Sequence, residues 1–233
     1  RLKVTSLRVR TSLVIQKGPF MFSSVTYGVR RRASNLLVLL FFPLAATAQE
    51  RVDILAYGDS LTQGYGLLEQ EGFVPQLRAW LAERGHDVRV VNAGVSGDTT
   101  AGGAARIDWS LTDDIDAAII TLGGNDLLRG IEPSSARANI RTILEATQKA
   151  DVSVLLVGMQ APGNYGPAYK ADFDSIYPDL SQEFGTLYYE SFFKALTENG
   201  DMPADLGAFM QADGIHPNGK GVARTIERIG PSA

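Results

Sequence analysis

Val52-Asp53-Ile54-Leu55-Ala56-Tyr57-Gly58-Asp59-Ser60-Leu61 opens the organised part of this chain. Its first six residues are mostly apolar and too few for a helix of ordinary length, so they read as a buried strand. Gly58-Asp59 breaks the run, and the turn that follows carries a serine hydroxyl.

Three further runs of the same kind cover residues 88–91, 117–122 and 152–157, and residues 186–189 offer a fifth strand. Helical patterns lie between them. Phe73, Val74, Leu77, Trp80 and Leu81 share one face, and Gly85 supplies a stop. Ala136, Ile140, Ile143, Leu144 and Thr147 form a second stripe. Phe173, Ile176, Tyr177, Leu180 and Phe184 form a third, and Val222, Ile226 and Ile229 a last. Strand and helix in alternation predict an α/β sandwich around a mostly parallel sheet of five strands.

The 233 residues, 45% of them hydrophobic, suffice for one domain with a substantial core. We assign residues 49–233 to it. Residues 1–48 read differently: they contain eight basic residues and no acidic one. Arg30-Arg31-Arg32, an apolar run over residues 36–46 and Ala46-Thr47-Ala48 have the order of a secretory signal, so cleavage is expected after Ala48. Residues 1–20 lack methionine and read as an upstream extension before Met21. Eleven apolar residues fall short of the roughly 20 that span a bilayer, so no membrane span is expected after processing.

Of the chain's 22 basic and 26 acidic residues, 14 and 26 remain beyond residue 48. A domain of net charge about −12 is a poor partner for nucleic acid. With no cysteine, disulfides, thiolate metal sites and a cysteine nucleophile are excluded. Two histidines, His86 and His216, limit any histidine base to one of them. His86 lies in a polar turn at the far end of the strands. No H-E-x-x-H is possible, so neither a metal nor another cofactor is expected.

In a parallel sheet the loops beyond the carboxyl ends converge on ligands. Gly58-Asp59-Ser60-Leu61 follows the first strand, and there Ser60 can present both its hydroxyl and its own N–H. Asn92-Ala93-Gly94-Val95-Ser96-Gly97-Asp98-Thr99 follows the second, with glycines that let backbone approach a substrate. Gly123-Gly124-Asn125-Asp126 follows the third and offers a side-chain amide to a developing oxyanion. Asp213-Gly214-Ile215-His216-Pro217 comes near the end, spaced so that the carboxylate can fold back on the imidazole. Each segment alone reads as an ordinary turn. Asp59 in particular suits a hydrogen bond within its own turn.

Together and in this order the four segments resemble the blocks of the SGNH hydrolases, over about residues 53–221. The resemblance implies a three-layer, flavodoxin-like sandwich and a serine hydrolase that cleaves carboxylic esters or acyl thioesters through an acyl-enzyme. It makes Ser60 the nucleophile, His216 the base and Asp213 its orienter. The Ser60 N–H, Gly97 and Asn125 become oxyanion donors. Residues 124–130 and 161–166 are similar to loops of the bacterial periplasmic thioesterase/arylesterase/lysophospholipase branch, where they line the acyl pocket, so Leu127 and Tyr165 are expected to bind substrate. A small-molecule or lipid acyl ester or thioester as substrate and a periplasmic location follow from the same likeness. Only 17 residues follow His216, so a short final helix is expected. The alternatives are a carbohydrate O-acetyl esterase and a non-catalytic acyl-binding envelope protein.

Overall fold

A computed structural model of the chain describes residues 51–197 and 206–233. The signal and upstream extension expected over residues 1–48 lie outside the described residues. No helix among the described residues is long and apolar enough to cross a membrane.

Five strands, β1 (Val52–Gly58), β2 (Val88–Gly94), β3 (Ala117–Thr121), β4 (Ser153–Val157) and β5 (Leu187–Tyr189), form one sheet in the order β2-β1-β3-β4-β5. Every neighbouring pair is parallel. The helices are α1 (Ser60–Gln63), α2 (Phe73–Glu83), α3 (Thr100–Ser110), α4 (Gly124–Leu128), α5 (Pro133–Lys149), α6 (Pro167–Asp174), α7 (Ile176–Phe184) and α8 (Gly219–Ile229). Parallel strands need crossovers, and right-handed crossovers in this strand order put the helix before β2 on one face and those before β3, β4 and β5 on the other. Accordingly α2 packs with α8, while α5 packs with α3, α6 and α7. This is the expected three-layer sandwich.

The apolar stripes are where periodicity puts them. Ala136, Ile140, Ile143, Leu144 and Thr147 are all buried, as are Val222, Ile226 and Ile229. Trp80 and Phe184 are only partly buried against the core. The helix α2 stops two residues before Gly85, which takes φ +81°. The stripe from Phe173 to Phe184 is divided between α6 and α7 at Ser175, whose helical φ of −77° lets the apolar face continue across the break.

Several elements differ from the reading of the sequence, β2 and α3 most of all. The strand β2 runs to Gly94, three residues beyond the apolar run, because it is an edge strand and Asn92 can face solvent while its backbone still pairs with Ala56. The helix α3 was not predicted at all. It buries only Thr100, Gly103 and Ile107, too narrow a stripe to stand out, and Gly103 lets it close on the core so that Tyr57 Oη donates to the Gly103 carbonyl at 2.5 Å.

Gly94 ends β2 directly against the backbone of α1, where a Cβ would strike Thr62 and Gln63. No side-chain rotation relieves contact with backbone, so strain of about 1–3 kcal/mol or more is the cost. Gly94→Ala is therefore expected to lower the free energy of unfolding by that amount, read as a lower urea midpoint at an unchanged m-value. An unaltered midpoint would mean that the approach of α1 to β2 is looser than described.

Candidate active site

The loops at the carboxyl ends of β1, β2, β3 and β4, with the segment before α8, enclose a cleft of about 630 Å³. All the residues singled out in the sequence line it: Ser60, Gly97, Asn125, Leu127, Tyr165, Asp213 and His216. His86 is exposed and precedes β2, at the opposite end of the sheet.

Ser60 is the first residue of α1, which Asp59 caps by accepting the Leu61 N–H at 3.0 Å. That cap turns the chain at the strand end and holds Ser60 at the floor of the cleft, 8% exposed. His216 Nε2 lies 2.8 Å from Ser60 Oγ, and His216 Nδ1 lies 2.7 Å from Asp213 Oδ2. An ionised carboxylate only accepts, so the ring proton belongs on Nδ1 and Nε2 is left to accept from the serine hydroxyl.

The segment that carries Asp213 and His216 is pinned locally. Asp213 Oδ1 accepts the N–H groups of Ile215 (2.9 Å) and His216 (3.0 Å). Gly214 takes φ +67°, which the tight fold-back requires. Met210 and Pro217 form an antiparallel bridge, and Asn218 caps α8 by accepting from Lys220 and Gly221. Tyr65 lies beside the imidazole, ring centroids 4.9 Å apart. The hydrogen bonds from the His216 backbone, the His216 ring and the Ile215 backbone pull the Asp213 carboxyl down to about 2.

The Ser60 and Gly97 N–H groups donate to no protein acceptor among the described residues, and both residues line the cleft. Gly97 has φ +84°, and its carbonyl accepts from Arg129 at 2.9 Å, which ties the loop after β2 to the end of α4. Asn125 Nδ2 donates to Asp59 Oδ2 at 3.3 Å. One amide hydrogen is thereby committed and the other remains for the cleft.

Asp59 thus does more than cap its own turn, a contact that spacing along the chain could not reveal. Burial is the dominant influence on its carboxyl and raises it from 3.8 to about 6, against the hydrogen bonds from Leu61 and Asn125 and the nearby His216. Asp126 also went unassigned in the sequence. Fully buried, it accepts from Thr100 N (2.8 Å) and Thr100 Oγ1 (2.6 Å), fixing α4 to the start of α3. Arg106 completes this side by pairing with Asp98 and donating to the Ala93 and Gly58 carbonyls at 2.9 Å each.

The family described as GDSL-like Lipase/Acylhydrolase matches residues 56–224. The chain is 36% identical over 200 residues to "Esterase TesA" of Pseudomonas aeruginosa, covering 85% of this chain and 94% of that one. It is 35% identical over 184 residues to "Thioesterase 1/protease 1/lysophospholipase L1" of Escherichia coli K12, covering 78% and 81%. Among solved structures, AlinE4, an SGNH-hydrolase family esterase, is similar at 41% identity and a TM-score of 0.65, over 79% of this chain and 95% of that one.

The raised carboxyl of Asp59 has a consequence for stability. Between about pH 4 and 6 the folded chain holds a proton that the unfolded chain has released, so this group's contribution falls as pH rises through that window. A shift of about two units corresponds to roughly 3 kcal/mol. The stability of Asp59→Asn minus that of the wild type is therefore expected to increase by this order between pH 4 and pH 6.5 in denaturant titrations. A difference independent of pH would show that the carboxyl titrates normally.

Proposed function

The chain belongs to the GDSL-like lipase/acylhydrolase family and is a serine hydrolase of carboxylic esters, and we propose that it works through Ser60, His216 and Asp213 on acyl esters and thioesters. The observation that carries this reading is the hydrogen-bonded series Ser60 Oγ, His216 Nε2, His216 Nδ1, Asp213 Oδ2, with links of 2.8 and 2.7 Å, at the floor of a cleft.

In this reading His216 Nε2 takes the Ser60 proton as Oγ adds to the carbonyl carbon. The carbonyl oxygen becomes an oxyanion and receives the N–H groups of Ser60 and Gly97 and the free Asn125 amide hydrogen. His216 then protonates the leaving alcohol or thiol as its bond to carbon breaks, and the acyl group stays on Ser60. A water, deprotonated by the same nitrogen, adds to the acyl-enzyme. The tetrahedral species collapses to the free acid and a reprotonated Ser60. Asp213 stabilises each imidazolium and keeps the ring turned toward the serine.

Leu127, Met159, Tyr165, Phe193, Met210 and Ile215 give the cleft an apolar lining suited to an acyl chain. This favours a lipid or other acyl substrate over acetylated carbohydrate, whose hydroxyls need more polar partners than this wall offers. Turnover is also preferred over acyl binding alone, since Ser60 and His216 are already within hydrogen-bond reach. We further infer export to the bacterial periplasm with removal of residues 1–48, supported by the Arg30-Arg31-Arg32, apolar run and Ala46-Thr47-Ala48 order. The acidic balance beyond residue 48 speaks against a nucleic-acid partner.

Ser60→Ala is expected to lower turnover of p-nitrophenyl esters by at least about 10³-fold while the protein stays folded. Asn125→Ala should lose about 10² to 10³ in kcat with KM little changed, because its hydrogen bond strengthens only as the oxyanion forms. Normal kcat with a reduced melting temperature would make Asn125 a turn residue instead. The mass of the exported protein, expressed from Met21, should correspond to a chain that begins at Gln49. A mass that includes residues 21–48 would refute processing at Ala48.

A further inference from the structure

The wall of the cleft between β4 and α6 is irregular chain that ends in one 3-10 turn, Gly163–Tyr165. Met159, Gln160, Pro162, Asn164 and Tyr165 line the cleft from it, and Ala161, 2% exposed, sits in the middle. A buried backbone in no strand or helix must find hydrogen-bond partners elsewhere. Both groups of Ala161 find theirs on α6. The N–H donates to Asp174 Oδ1 at 2.7 Å, and Lys170 Nζ donates to the carbonyl at 2.7 Å. Lys170 Nζ also pairs with Asp174 Oδ2 at 2.7 Å. The ion pair and the Ala161 peptide groups thus close a ring of charge-assisted hydrogen bonds.

The same helix also holds the adjoining part of the lining. Tyr169 Oη donates to the Ile131 carbonyl at 2.7 Å, just beyond α4, whose Leu127 and Leu128 line the cleft. Tyr165 packs on Tyr169 with centroids 4.9 Å apart and lies against Gly130, where a Cβ would be 3.1 Å from its ring. The helix α6 is therefore a bracket between the two loops that meet at Tyr165 and Gly130 and together line the apolar part of the cleft.

We propose that Lys170 and Asp174 are specificity-determining positioning residues, which hold Ala161 by both its backbone groups and so fix the wall that selects the acyl chain. This rests on the reading of the cleft as an acyl site. The groups that handle the ester carbonyl, Ser60, Gly97, Asn125 and His216, come from other segments. A short acyl group needs only those, whereas a longer one must lie along the wall. An ion pair of i,i+4 spacing also occurs as plain helix decoration of small worth. Here the third partner distinguishes the two roles.

The test compares kcat/KM across p-nitrophenyl esters from acetate to palmitate. Lys170→Met and Asp174→Asn are expected to stay within about 3-fold of wild type on acetate. Their preference for the wild type's best longer ester over acetate should fall about 10-fold, mostly through KM, a size typical of lost acyl contacts. Lys170→Arg, which keeps the donor and charge, should retain the wild-type profile. The exchanged pair Lys170→Asp/Asp174→Lys restores an ion pair on the helix but turns a carboxylate toward the Ala161 carbonyl and an ammonium toward its N–H. It is expected to behave like the single variants. Recovery of the profile in the exchanged pair, an equal loss on all esters, or unchanged profiles in the single variants would each overturn the proposal. A wild type with no preference for any acyl chain longer than acetyl would instead refute the acyl-site reading.

Discussion

Gly58 ends β1, an interior strand, with Gly94 paired on one side and Thr121 on the other. From that point the chain leaves β1 for an edge at β2 and returns across it to β3, so strand order reverses around β1. The loops after β1, β2 and β3 consequently stand side by side above the sheet, although they are separated by tens of residues in sequence. Gly58 itself is hemmed in by Thr62 and the Thr121 carbonyl, and its own carbonyl accepts from Val95 at 3.0 Å and Arg106 at 2.9 Å. Ser60, Gly97 and Asn125 inherit their mutual positions from this one crowded strand end.

Such convergence leaves polar backbone inside the molecule, and buried side chains answer it. Asp126 satisfies the first turn of α3 through Thr100, and Asp59 satisfies the first turn of α1 while turning to Asn125. A carboxylate in these places is costly to desolvate, which is why burial is the largest influence on both groups. An amide would be cheaper to bury. It would also present a donor where two donors already point, so the acceptor-only carboxylate is the group that fits.

The layers and the four stripes that became α2, α5, α6 with α7, and α8 were legible in the sequence because buried parallel strands are continuous apolar runs and packed helices carry a 3.6-residue stripe. The elements that escaped are those whose packing relies on small residues. Gly103 lets α3 approach Tyr57 and Leu122 without an apolar stripe, and α4 is a single turn nucleated beside Gly123 at φ +120°. Ser60, Gly97, Asn125, Asp213 and His216 were legible as blocks in order. The bonds between blocks were not, because Asp59 with Asn125 and Arg129 with Gly97 are partners only once the strand order is known, and periodicity does not specify it. Lys170 and Asp174 were hidden for another reason, since spacing four apart reads as surface charge until Ala161 lies between them.

The two carboxyls nearest Ser60 and His216 are driven in opposite directions, and the difference separates their work. Asp213 is held near 2 by backbone donors and by the ring it faces, so it is anionic at neutral pH and, in the mechanism we propose, opposes the charge that forms on His216. Asp59 is pushed to about 6 by burial and lies next to the amide expected to face the oxyanion. A full negative charge beside a developing oxyanion would be repulsive if the two were in direct contact. The Asn125 amide stands between them, one hydrogen on the carboxylate and the other free, so that the charge fixes the direction of the donor. Proton transfer from Ser60 to Asp59 has no such geometry to favour it, because the hydroxyl already meets His216 Nε2 at 2.8 Å while both Asp59 oxygens are engaged. In the proposed mechanism, environment thus gives one aspartate the task of steadying a proton acceptor and the other that of aiming a hydrogen-bond donor.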